Sequence, residues 1–152
     1  MLYVMAFLIG VVAGLRAMTA PAVASWAARL GWLNLQGTPL AWLGAAVTPW
    51  IFTLAAVGEI VNDKLPKTGS RKAPAPFLAR IVMGALSGGA VGASGGALAA
   101  GLLLGALGAV AGTLGGYGVR SRLARAFGRD LPAALVEDAI AIVLAIGAVR
   151  LR

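Results

Sequence analysis

The chain has 152 residues, 60% of them hydrophobic and only 12% charged, with a mean hydropathy of +0.90. So short a chain has too much surface to hide that apolar excess from water, so lipid is the expected solvent and one integral membrane domain, residues 1–152, the expected organisation. Cysteine and histidine are both absent, which excludes disulfides, thiolate zinc sites, cysteine nucleophiles and imidazole general bases together.

Thirteen Lys and Arg against five Asp and Glu give a net charge of +8. The cations lie in short clusters between apolar runs, the pattern of cytoplasmic flanks of membrane helices and not of a nucleic-acid-binding surface.

The first apolar run, residues 2–14, has no preceding positive charge and is not expected to be a cleaved signal peptide. A second, residues 22–35, carries Arg29 and Asn34. Each is short of the ~20 helical residues needed to cross ~30 Å of hydrocarbon. The two predict a thin helical hairpin, a re-entrant pair, or one span followed by an interfacial helix.

Four longer runs follow, at 40–62, 76–94, 97–118 and 132–149. None alternates in polarity as a barrel strand does. The expected fold is therefore an all-α polytopic transmembrane bundle, four long spans plus the short N-terminal pair.

Between the first and second long runs stand Lys64, Lys67, Arg71 and Lys72; between the third and fourth stand Arg120, Arg122, Arg125 and Arg129. An even number of crossings separates the two clusters. Loops 64–75 and 119–131 are thus expected on the cytoplasmic side, with the uncharged Gly95-Gly96 turn outside. Arg71, Arg120 and Arg122 are candidates to contact an anion or a lipid headgroup there.

Glycine recurs every four residues at Gly84, Gly88, Gly92 and Gly96, and again at Gly108, Gly112 and Gly116; Gly101 and Gly105 add a pair. So much glycine would weaken a helix in water, but in lipid small residues let helix backbones approach closely. Gly84, Gly88, Gly92, Gly108, Gly112 and Gly116 are the predicted packing positions. They are expected to serve helices of the same chain first, with homo-oligomerisation as a further use.

Ionisable groups within membrane segments are costly and are functional candidates by default. Glu59 and Asp63 lie one helical turn apart, Glu137 and Asp138 follow Pro132 by about a turn and a half, and Arg16 follows a wholly apolar run. Together with Thr19 these six form the candidate intramembrane polar site, with Arg16 as counter-charge. Asp63 and Arg80 are expected near helix ends, snorkelling to headgroups, with the Asp63 carboxylate pairing with Lys64 or Arg71. The carboxylates match no metal-loop spacing, and no GxSxG, HExxH or phosphate-loop pattern occurs; no metal, cofactor or catalytic residue is assigned.

GLRAMTAPAVASWAA (14–28), GEIVNDKLPKTGSR (58–71), GTLGGYGVRSRL (112–123) and LPAALVEDAIAI (131–142) together resemble the bacterial domain-of-unknown-function 4126 family over nearly the whole chain. Arg16, Thr19, Trp26, Glu59, Asp63, Lys64, Pro66, Arg71, Gly116, Tyr117, Arg120, Glu137 and Asp138 sit at its motif positions. The resemblance implies a small protein of the bacterial inner membrane and supplies no reaction, ligand or partner. GLRAMTAP (14–21) also echoes GVRSRLARAFGRDLP (118–132), as in duplicated transporter halves.

Two functions follow from these residues. One is a small transporter or channel whose polar site takes an ion, a small solute or an anionic lipid headgroup. The other is a non-transporting assembly or scaffold module that packs through its glycine face. An enzyme is not expected, and membrane lipids are the expected partners.

Overall fold

A computed structural model describes residues 1–63 and 74–151. Among these residues are six α-helices: α1 (Leu2–Leu15), α2 (Thr19–Arg29), α3 (Thr48–Asp63), α4 (Pro74–Ser94), α5 (Leu98–Phe127) and α6 (Asp130–Arg150), with a short 3₁₀ turn at Ala41–Gly44. No strand occurs among the described residues. Helices α4, α5 and α6 are long and apolar enough to cross a membrane, and α1 is a shorter apolar helix. Leu54, Leu103, Val143 and other large apolar side chains face outward, a surface suited to lipid.

At the centre, α1 packs between α4 and α5 through glycine. A Cβ on Gly88 would come within 2.5 Å of the Gly101 carbonyl oxygen, and one on Gly84 within 2.6 Å of that of Gly105. Gly92 meets Ala97 and Gly101, while Gly108 and Gly112 lie against the α1 backbone at Phe7, Gly10 and Val11. Paired positions run in opposite directions between α4 and α5 and in the same direction between α1 and α5. Gly96, at φ +78°, turns the chain between α4 and α5 in a left-handed conformation suited to glycine.

The N-terminal pair is a hairpin whose tip lies inside the bundle. Helix α1 starts with Leu2 against Gly95 and ends with Gly14 against Thr113 of α5. Arg16 adopts extended backbone angles and breaks the helix. Helix α2 then runs antiparallel to α3, with Met18 beside Glu59 and the Trp26 indole donating to the Thr53 hydroxyl at 2.9 Å. Beyond α2, Trp32 sits under the Arg150 guanidinium at the far end of α6, so the chain has returned toward the side on which it began. At 1.5 Å per residue the tip lies about 22 Å along α5 from Leu98, and about 9 Å along α4 from Pro74.

Two predicted elements come out shorter than their apolar runs. Run 40–62 is not one long helix: α3 starts at Thr48, is 16 residues long, and is not among the membrane-length helices. Pro49 is tolerated in the first turn of α3, but its ring would clash with a helical turn before it, and the Thr48 hydroxyl turns back to donate to the Trp42 carbonyl. Run 22–35 is helical only to Arg29; Gly31, at φ +81°, turns the chain, and Leu33 and Leu35 are buried in the following loop. Helix α5 instead outruns its apolar run by nine residues, ending where Gly128 adopts a left-handed C-cap.

Candidate functional site: a charged break between two half-helices

A helix leaves its last carbonyls and first amides without partners, and inside a bilayer each such group costs several kcal/mol unless something supplies a hydrogen bond. Both kinds of orphan meet at the hairpin tip. The carbonyls of Gly14 and Leu15, ending α1, accept hydrogen bonds from Arg80 Nη1 at 2.5 and 2.9 Å. The Thr113 hydroxyl lies 3.3 Å from the same Gly14 oxygen. The amides of Ala17 and Met18, opening α2, donate to Glu59 Oε1 at 2.9 Å and Oε2 at 2.8 Å.

The signs are right for the helix dipole: a cation closes the negative end of α1 and an anion closes the positive end of α2. Arg80 Nη2 and Glu59 Oε1 stand 3.8 Å apart, so the two caps also form an ion pair across the break. Arg80 is only 7% exposed. Its placement corrects the expectation of a snorkelling side chain: it lies about a turn and a half inside α4, but α1 ends at the same depth and offers it two carbonyls.

Arg16, at the break itself, is 1% exposed. Its Nε donates to Asp138 Oδ1 at 2.5 Å, and its Nη2 pairs with the same oxygen. One residue earlier on α6, Glu137 takes the opposite direction: its Oε2 lies 3.3 Å from Arg120 Nη1 on α5. Arg120 also grips Asp130, through Nε at 3.0 Å and Nη2 at 2.6 Å. Adjacent helical residues diverge by about 100°, so two neighbouring carboxylates fasten α6 to two different helices. The Arg80–Glu59, Arg16–Asp138 and Arg120–Glu137–Asp130 contacts together link α1 and α2 to α3, α4, α5 and α6.

Among the predicted site residues, Arg16, Glu59, Glu137 and Asp138 are thus brought to one level of the bundle. Thr19 is buried at the start of α2, and its hydroxyl has no hydrogen-bond partner among the described residues. Asp63 closes α3 one turn beyond Glu59. Of the three arginines assigned to anion contact, Arg120 is engaged with Asp130 and Glu137, Arg122 is exposed on α5, and Arg71 lies outside the described residues, as do Lys64 and Pro66. Gly116 is buried on α5. No group of three or more acidic side chains among the described residues is placed to hold a metal ion.

Two concavities flank this cluster. A groove of about 220 Å³ lies between α1, α5 and α6 and reaches Arg120 and Glu137. A wider depression of about 850 Å³ is formed by the end of α2 and the loop to residue 45, and none of the buried ionic residues lines it.

The family model described as domain of unknown function, DUF4126, matches residues 3–151. This chain belongs to the DUF4126 family. No curated protein and no solved structure matches it. The match to DUF4126 covers the half-helix break and all its caps. Sequence reasoning sent Arg80 to the headgroups, missed Thr113 and gave no role to Asp130. Arg80 carried the usable signal, a lone arginine within an apolar run. Thr113 carried none, because a hydroxyl in a glycine-rich helix ordinarily bonds its own preceding turn, as this one also does to Ala109.

Proposed function

We propose that this protein is a small multi-pass transporter or channel of the bacterial inner membrane, with its solute or ion pathway at the α1–α2 break. The observation that carries the reading is the interrupted backbone inside the bundle, held by Arg80, Glu59, Arg16 and Asp138 from separate elements. Irregular backbone at membrane depth is tolerated only where it is buried in protein or lines a water-filled cavity, and in transporters the ends of such broken helices point at the substrate and its coupling ion. The α1–α2 hairpin enters and leaves on the outer side as a re-entrant pair, α3 then carries the chain across to the cytoplasmic side, and α4, α5 and α6 cross in turn. The segment 64–75 and the segment 119–131, which is the end of α5 with its turn into α6, lie in the cytoplasm, consistent with their clustered cations.

The scaffold reading is weaker, because the glycines it would use to hold a partner lie against α1, α4 and α5 of the same chain. No enzymatic role is proposed, since the chain has neither cysteine nor histidine to act as nucleophile or base.

The test pairs two measurements on protein extracted with its native lipid. Native mass spectrometry is expected to reveal a bound ion or small solute that is absent from a Glu137→Gln variant of normal fold. Proteoliposomes are expected to pass that species, or a current, with the parent protein only. A chain that retains nothing but lipid and leaves the proteoliposomes impermeable would overturn the proposal.

A further inference from the structure

The charged break does not use the groove between α1, α5 and α6. Its walls are apolar, with Val11 and Leu15 from α1 and Ile140 from α6, and its floor on α5 includes Gly115. A Cβ on Gly115 would meet nothing within 4 Å, so this glycine, unlike Gly112 beside it, has no neighbour to accommodate. Its missing side chain leaves room along α5.

Toward one end the groove changes character. Arg120 and Glu137 line it there. Arg120 pairs with both Glu137 and Asp130, so the floor is apolar above and ion-paired below, and the positive excess of the rim comes from Arg122, Arg125 and Arg129. Arg122 is exposed and lies seven residues beyond Gly115, two helical turns along the same face of α5. The surrounding segment, residues 119–131, carries four arginines and one aspartate. An apolar channel closing on a net positive rim has the polarity of a phospholipid with an anionic headgroup.

We propose that this groove is a binding site for one acyl chain of an anionic phospholipid, with its phosphate at the rim beside Arg122. A second copy of the chain fits less well, because its helix would bring a like set of arginines to the same rim. The site needs only that the protein sits in a membrane and is independent of the transport reading.

The test uses phosphatidylglycerol carrying a photoreactive diazirine on its acyl chain, and the matching phosphatidylcholine, each added to the detergent-solubilised full chain. With the parent protein, covalent adducts are expected on peptides containing Val11, Leu15 or Ile140, and mainly from phosphatidylglycerol. Gly115→Leu fills the channel without meeting backbone and is expected to cut these adducts at least tenfold while thermal stability holds. Gly58→Leu, at an equally open position on α3, is expected to leave them unchanged. Arg122→Gln is expected to reduce the preference for phosphatidylglycerol about fivefold, the loss of one cation at the membrane surface.

Equal labelling by the two lipids, or adducts undiminished in Gly115→Leu, would overturn the site. So would a parent dimer that dissociates in Gly115→Leu with no lipid adduct at these peptides, since the groove would then belong to a second copy.

Discussion

Arg16 and Asp138 stand 122 positions apart in the chain, yet the guanidinium of one donates to the carboxylate of the other at 2.5 Å in a nearly sealed interior. A buried pair of this kind is a weak net stabiliser, because desolvation offsets the attraction, but either partner alone is very unfavourable. Asp138→Asn should therefore cost about 3–5 kcal/mol of stability. Replacing both residues by apolar ones of similar volume, Arg16→Met with Asp138→Leu, should recover most of that loss. Unfolding of the parent and the two variants in detergent tests this, and a double variant no better than the single one would contradict it.

Glu59 serves the opening of α2 from another helix, so its loss should act locally. Glu59→Ala leaves two backbone amides without acceptors, at roughly 1–3 kcal/mol each for a buried group. Glu59→Gln retains one acceptor oxygen and should lose less. Hydrogen exchange reads the effect directly. Protection of the Ala17 and Met18 amides should fall steeply in the alanine variant and partly in the glutamine variant, with the middle of α5 unaffected.

Gly88→Leu and Gly112→Leu should both lower the melting temperature substantially, since the first Cβ meets the Gly101 carbonyl and the second the Val11 backbone. Gly147→Leu supplies the control, because a Cβ there meets nothing within 4 Å. If all three variants melt alike, close backbone approach contributes nothing to this bundle.

The orientation prediction uses the absence of native cysteine. Single cysteines at Thr68, which lies outside the described residues, and at Ala126, near the end of α5, should resist an impermeant thiol reagent in intact cells and react after permeabilisation. Labelling of both from outside would reverse the orientation.

Hydropathy alone located α4, α5 and α6, because lipid selects for long apolar runs and these helices are little else. It misjudged α3 because hydropathy does not register backbone geometry; Pro49 interrupts an apolar run without changing its polarity. It ended α5 early for the converse reason, since arginine ends an apolar run while being a good helix former. At the site, the depth of Glu59, Glu137 and Asp138 followed from counting residues along helices. Their partners did not. Whether Arg16 meets Glu137 or Asp138 depends on a rotation of α6 that no local pattern specifies, and Arg80 acquires its role only because α1 stops level with it.

The Arg16–Asp138 contact also bears on how the protein is made. The hairpin is synthesised before α6, so for the time it takes to translate more than a hundred further residues its arginine has no carboxylate from that helix to meet. An early-made cation of this sort resists settling into lipid on its own. The hairpin is therefore expected to complete its insertion late, after the final helix arrives, and chains truncated ahead of Asp138 should be recognised as unfinished and degraded. Pulse-labelled chains cut back to residue 129 would show this as a short half-life, which supplying α6 as a separate segment should lengthen.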